Sequence, residues 1–110
     1  MSCDPRNASR PFRLSEIERP EYHGYGIYGF WYRGRCIYIG KAEDQVLTER
    51  LKQHWANCHN DLLKQWLAAK PGEIRFVVKM IDHKEQIQVY EKFYIRRFQP
   101  ITNKIRYQSK

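Results

Sequence analysis

The segment from Asp82 to Phe98 places Ile87, Tyr90, Tyr94 and Phe98 at spacings of three and four, the period of one face of a helix. Glu91 falls inside that stripe. A carboxylate turned toward a packed side costs on the order of several kcal/mol unless a partner compensates it. Whatever fold this helix joins must bring a cation to Glu91, and an ion pair with an arginine is the ordinary solution.

Upstream, the aromatic run Tyr25 to Tyr32, the turn Arg33-Gly34-Arg35 and the strand Cys36 to Gly40 read as a β-hairpin with a glycine turn. A register centred on Gly34 puts Tyr28 and Tyr38 on one face, diagonal to each other, and Ile27, Ile37 and Ile39 on the other. After the polar stretch Lys41 to Gln45 a helix is predicted to open near Val46. Leu47, Leu51 and Cys58 define its apolar side, with Arg50 and His54 along that side or its border. A second short helix spans Asp61 to Ala69 and is closed by Lys70-Pro71-Gly72. Glu73 to Ile81 reads as a third strand, and Gln99-Pro100 stops the Glu91 helix ahead of Ile101 to Lys104 and a basic tail. The order β-β-α-α-β-α predicts an α+β domain, a small sheet of mixed or antiparallel strands covered by helices. Residues 1–20, with Pro5, Pro11 and no sustained period, are expected to form an extended or partly disordered basic arm whose Arg6, Arg10 and Arg13 touch a phosphate backbone. Residues 21–110 form the domain.

At 110 residues there is room for one modest core, and a hydrophobic fraction of 42% with aromatics at 15% argues against disorder. No apolar run approaches the roughly 18 residues of a membrane span, and the N-terminus lacks the apolar core of a secretory signal. The expectation is a cytoplasmic protein without membrane contact. Cys3, Cys36 and Cys58 are odd in number and contain no C-x-x-C pair, which disfavours a disulfide framework or a zinc ribbon. His54, Cys58 and His59 lack a second ligand pair to complete a metal site. Cys36, Trp31, Trp55 and Trp66 are assigned to the core, the alternative for a tryptophan being that an exposed one beside basic residues stacks on an unpaired base. Twenty Lys and Arg against twelve Asp and Glu give +8, a charge suited to a polyanion such as nucleic acid.

Tyr28, Tyr38, Arg50, His54 and Glu91 are thus polar groups on regular elements, aimed at packed sides. Two phenols, a permanent cation, a titratable imidazole and a metal-capable acid are the parts needed for phosphodiester hydrolysis. The same residues carry a resemblance. Gly26-Ile27-Tyr28, followed after nine residues by Tyr38-Ile39-Gly40, with Arg50 and His54 one turn apart, Glu91 on a later helix and Asn103 beyond it, resembles the GIY-YIG nuclease superfamily. That resemblance covers roughly Gly26 to Asn103. It implies a small three-stranded antiparallel sheet flanked by helices, a metal-binding role for Glu91, and metal-dependent cleavage of DNA. Many members attach a separate DNA-binding domain, for which this chain has no room; the arm, the tail or a second subunit is left to hold the substrate, as a monomer or a homodimer.

On this reading one hydrated Mg²⁺, or Mn²⁺, is held by Glu91, because a single acid suffices when waters and phosphate oxygens complete the shell. Tyr28 serves the attacking water, His54 accepts its proton, and Arg50 serves both Tyr28 and the scissile phosphate. Tyr38 hydrogen-bonds phosphate or water. Gly26 and Gly40 let backbone approach the substrate, Lys41 contacts phosphate, and Asn103 orients a loop or a phosphate. The alternative is a non-catalytic nucleic-acid-binding module of the same fold. It would carry the same charge but has no need of an acid at Glu91, which would repel phosphate.

Overall fold

The computed structural model describes residues 10–56, 58–70 and 72–103. The hairpin consists of β2 (Gly26–Tyr32) and β3 (Arg35–Ala42). Its loop residues Arg33 and Gly34 have φ of 49° and 79°, the paired positive angles of a tight turn that follows the twist of its strands. β2 also pairs antiparallel with β4 (Arg75–Met80), so β2 is central and buried along nearly its whole length. The predicted three strands are joined by a two-residue fourth, β1 (Arg10–Pro11), giving the order β1-β4-β2-β3 with every pairing antiparallel.

Pairing of Tyr28 with Gly40 and of Phe30 with Tyr38 puts the two tyrosines on one face, diagonal to each other, as the register predicts. A shift between Phe30 and Trp31 then changes the pattern. The extra residue moves Ile37 to the Tyr28 side, against the expectation that it would share a face with Ile27 and Ile39.

The Tyr28 face packs against α1 (Leu14–Ile17), α2 (Leu47–Ala56) and α3 (Asp61–Ala69) through Ile17, Leu47, Leu51 and Leu63, none of which has exposed surface. α3 has its predicted bounds, and the Asn60 side chain caps it by accepting from the Leu63 N–H at 3.1 Å. The opposite face packs against α4 (Lys84–Phe98) through Ile27, Trp31, Ile39 and Val77. Tyr90, Tyr94 and Phe98 stack along α4 with centroids 6.4 and 6.1 Å apart.

Residues 10–20 depart from the extended arm expected of them. Phe12 and Ile17 are buried in the core, a short 3₁₀ turn follows at Pro20–Tyr22, and Phe12 N–H donates to the Ile74 carbonyl at 2.9 Å. The apolar residues were too sparsely spaced to show a period, yet each meets a partner from a distant element. Arg13 is exposed, whereas Arg6 lies outside the described residues.

α4 ends at Gln99, whose φ of 47° turns the chain back along the free edge of β3. There Thr102 donates from its N–H at 3.0 Å and its hydroxyl at 2.6 Å to the Ile37 carbonyl. Asn103 accepts from the Ile39 N–H at 3.0 Å and donates to the Ile39 carbonyl at 2.8 Å. An edge that would otherwise present unpaired backbone groups is covered. Among the described residues no helix is long and apolar enough to cross a membrane.

Candidate active site

β2 and β3 carry the two phenols, and α2 lays Arg50 and His54 over them because those residues sit one turn apart on the helix side that faces the sheet. The Tyr28 and Tyr38 ring centroids are 6.2 Å apart, and each lies 5.4 Å from the His54 ring. Tyr28 has no exposed surface and His54 has 9%. Between them the Tyr28 oxygen stands 2.6 Å from His54 Nε2.

The direction of that bond follows from what lies behind it. His54 Nδ1 is 3.3 Å from Cys58 Sγ, and Cys58 Sγ donates to the Asn60 carbonyl oxygen at 3.6 Å. A carbonyl can only accept, so the thiol hydrogen points at Asn60 and the sulfur is left to accept from Nδ1–H. Nε2 then carries the lone pair, and the Tyr28 hydroxyl donates to it. Burial acts in the same sense. It lowers His54 to a pKa of about 4, with the nearby Arg50 charge adding to the effect. It also raises Tyr28 well above the ordinary phenol range, helped by Tyr38 and opposed by Arg50. At neutral pH the pair is a neutral phenol donating to a neutral imidazole.

Arg50 is half-buried and bonds Gln53 through Nη1 at 3.3 Å, while its Nε is buried with no hydrogen-bond partner among the described residues. A buried guanidinium donor without an acceptor invites an anion. It borders a 350 Å³ cleft lined also by Lys41, Glu43, Asp44 and Gln53. Glu91 joins from α4, its Oε1 4.0 Å from Lys41 Nζ, which is itself 2.9 Å from Glu43 Oε1. Burial raises the Glu91 carboxyl, Lys41 and Arg50 lower it, and Glu43 raises it further. Burial likewise raises Tyr38, which keeps part of its surface exposed.

Several predicted site residues have other occupations. A Cβ at Gly40 would collide with the Tyr28 hydroxyl and the Tyr38 ring, and one at Gly26 with the Lys79 backbone. These glycines admit the protein's own rings and strands. Asn103 uses both ends of its amide on the Ile39 backbone, so it holds the strand that presents Tyr38 instead of reaching for phosphate. Lys41 sits between Glu43 and Glu91.

Sequence reasoning missed Cys58 as the partner of His54, although the two are four residues apart, and missed Asn60, whose side chain donates to the Thr102 carbonyl at 2.7 Å. His59 is exposed, and among the described residues no three metal-ligating side chains cluster. Trp31 is buried, but Trp55, expected in the core, is 49% exposed.

The family model for the GIY-YIG catalytic domain matches residues 24–106. No curated protein matches the chain. Among solved structures the chain is similar to the GIY-YIG N-terminal endonuclease domain of UvrC from Thermotoga maritima, a point mutant bound to its catalytic divalent cation. The two share 23% sequence identity and a TM-score of 0.60, covering 84% of this chain and 93% of the other. Identity that low speaks to the fold, which is the antiparallel sheet with flanking helices described above. The match of the family model, spanning both tyrosine strands, the Arg50 helix and the Glu91 helix, goes further: the chain belongs to the family of GIY-YIG catalytic domains and is a nuclease of the GIY-YIG type.

Proposed function

We propose that this domain hydrolyses phosphodiester bonds of DNA, using Arg50 to take the scissile phosphate, the Tyr28–His54 pair to remove a proton from the attacking water, and Glu91 to hold a divalent cation. The observation that carries this reading is the 2.6 Å contact between a fully buried phenol and a buried imidazole next to an arginine whose Nε has no partner among the described residues. A core has no use for that combination.

Glu91 fits a hard cation. It is a partly buried carboxylate whose cationic neighbour Lys41 stands at 4.0 Å and bonds a different acid. With no cluster of three ligating side chains among the described residues, Glu91 would hold a cation that keeps most of its own water, such as Mg²⁺ or Mn²⁺. Such a cation supplies charge neutralisation on the phosphate and on the leaving oxygen.

The chain's own residues do the rest. Arg50 presents a buried donor to the non-bridging phosphate oxygens and offsets the charge that builds as water adds to phosphorus. Tyr28 is enclosed by Gly40, Tyr38, His54 and Arg50, so its hydroxyl lies next to the cation that would take the phosphate. The water gives its proton to the Tyr28 oxygen while the phenol proton passes to His54 Nε2, so no free phenolate accumulates. Tyr38, which keeps part of its surface exposed, hydrogen-bonds phosphate or water. The UvrC domain, an endonuclease domain holding a catalytic divalent cation, supports the assignment by its fold. The experiment is to incubate plasmid DNA with the protein and Mg²⁺, with the protein in excess chelator, and with Glu91→Gln. Nicking or linearisation is expected in the first alone. Cleavage by the chelated protein or at the full rate by Glu91→Gln overturns the metal assignment, and no cleavage by the wild type overturns the nuclease reading.

A further inference from the structure

Trp55 stands half-exposed on α2, one residue from His54 and outside the machinery described above. Its ring is held edge-on against Phe12 at 5.6 Å. It borders a groove of 450 Å³ whose other apolar walls are Leu67, Ala68 and Ile74. Arg13, Lys64 and Lys70 also line the groove, and among the described residues no carboxylate does. A groove with an exposed indole, apolar walls and three cations in its lining asks for a ligand with a flat apolar body joined to negative charge, and its volume is that of a site for a nucleotide-sized molecule. His54 and Cys58 line it too, so the groove and the proposed catalytic pair share one imidazole.

We infer that this groove takes an unpaired base of the DNA strand being cut, stacked on Trp55 with its neighbouring phosphates on Arg13, Lys64 and Lys70. A perfect duplex keeps every base paired and has nothing to place there. The substrate class is therefore DNA with an unpaired nucleotide near the scissile phosphate: a bulge, a flap or a distorted site. This rests on the nuclease reading for the identity of the strand, while the groove, the cations and the tryptophan stand without it.

The test uses the full chain carrying Glu91→Gln, without metal, so that binding is read apart from cutting. It is titrated with a short oligothymidylate, a perfect duplex, the same duplex with a one-base bulge, and heparin as a polyanion without bases. Oligothymidylate and the bulged duplex should quench tryptophan fluorescence, and Trp55→Ala should weaken both by about tenfold while changing the perfect duplex by less than about twofold, the loss expected of one base on one aromatic ring. Trp55→Phe should retain most of the affinity. Ala68→Glu, an exposed position on α3 that lines the groove, should reproduce the loss and guards against a Trp55→Ala variant that fails to fold. Equal quenching by heparin, equal loss for all DNA forms, or no loss in either variant overturns the inference. A protein that cuts plasmid but binds without regard to Trp55 overturns only this subsite. One that binds through Trp55 but never cuts overturns only the nuclease reading.

Discussion

The Tyr28 hydroxyl donates across 2.6 Å to His54 Nε2 in a part of the interior where Tyr28 has no exposed surface. Tyr28→Phe deletes one oxygen and leaves a buried nitrogen without its donor, which costs about 1 to 3 kcal/mol. In a domain of this size each kcal/mol lowers the melting temperature by about 4 to 8 °C. The variant should melt lower yet remain folded at room temperature, and its plasmid cleavage should fall by at least about a hundredfold, or roughly 2.7 kcal/mol in the barrier. Normal cutting by folded Tyr28→Phe would reduce Tyr28 to a packing residue.

The His54 environment makes a second prediction, in stability. Its pKa of about 4 in the folded chain lies below the ordinary 6.5. Above the unfolded value the ring is neutral in both states. As pH falls from there toward the folded value, the unfolded chain binds a proton that the native chain refuses. Stability drops across that window, at up to about 1.4 kcal/mol per pH unit. Glu91, raised by burial, acts in the opposite sense, so the comparison belongs in the Glu91→Gln background. Urea midpoints from about pH 7 to about pH 5 should fall with His54 present and flatten in His54→Gln. Equal slopes would mean that His54 titrates as it does in solvent.

Cys58 makes the third. Its sulfur accepts from His54 Nδ1–H and its thiol donates to the Asn60 carbonyl, which fixes the tautomer that leaves Nε2 free. Cys58→Ser keeps a donor and an acceptor at this point and should cut within a few-fold of wild type. Cys58→Ala removes both, and the rate should fall by about tenfold or more, as when an outer partner of a functional histidine is removed. The sign of positioning, not packing, is that cleavage separates the two variants while their melting temperatures stay close.

Much of this site was legible because its residues break local rules. Glu91 interrupts an apolar stripe, Arg50 and His54 stand on a core-facing side, and Gly34 fixes a register that makes two phenols neighbours. Each signal spans a few residues and survives without tertiary information. What stayed hidden depends on residues far apart in sequence meeting in space. Phe12 and Ile17 show no period, and their partners lie on distant elements, Phe30 of β2 and Phe76 of β4 for Phe12 and α2 for the helix of Ile17. Ile37 changes face through a bulge that alternation cannot foresee. Asn103 reads as a polar group awaiting substrate until the turn at Gln99 returns it to Ile39, 64 positions away. Trp55 looked like core by type, and the helix face it occupies leaves it half-exposed.

Charge supplies the last prediction. The net +8 should bind DNA even when Glu91 cannot hold a metal. If the chain covers about four to six phosphates, log affinity for duplex DNA should fall against log salt with a slope near −4 to −5 in Glu91→Gln. Burial of Phe12 moves the useful truncation point back to residue 9, because a deeper cut would remove core. Residues 1–9 hold Arg6 and Asp4, which cancel, so their deletion should leave the slope within about one unit. The tail carries Lys104, Arg106 and Lys110 with no acid. Replacing those three by glutamine should flatten the slope by about 2 to 3 units, roughly 0.9 for each phosphate no longer neutralised, while plasmid cleavage at low salt by the same triple variant with Glu91 intact continues. A slope unmoved by the tail assigns the phosphate-binding cations to the folded body, and an affinity indifferent to salt would mean that the charge serves some partner other than DNA.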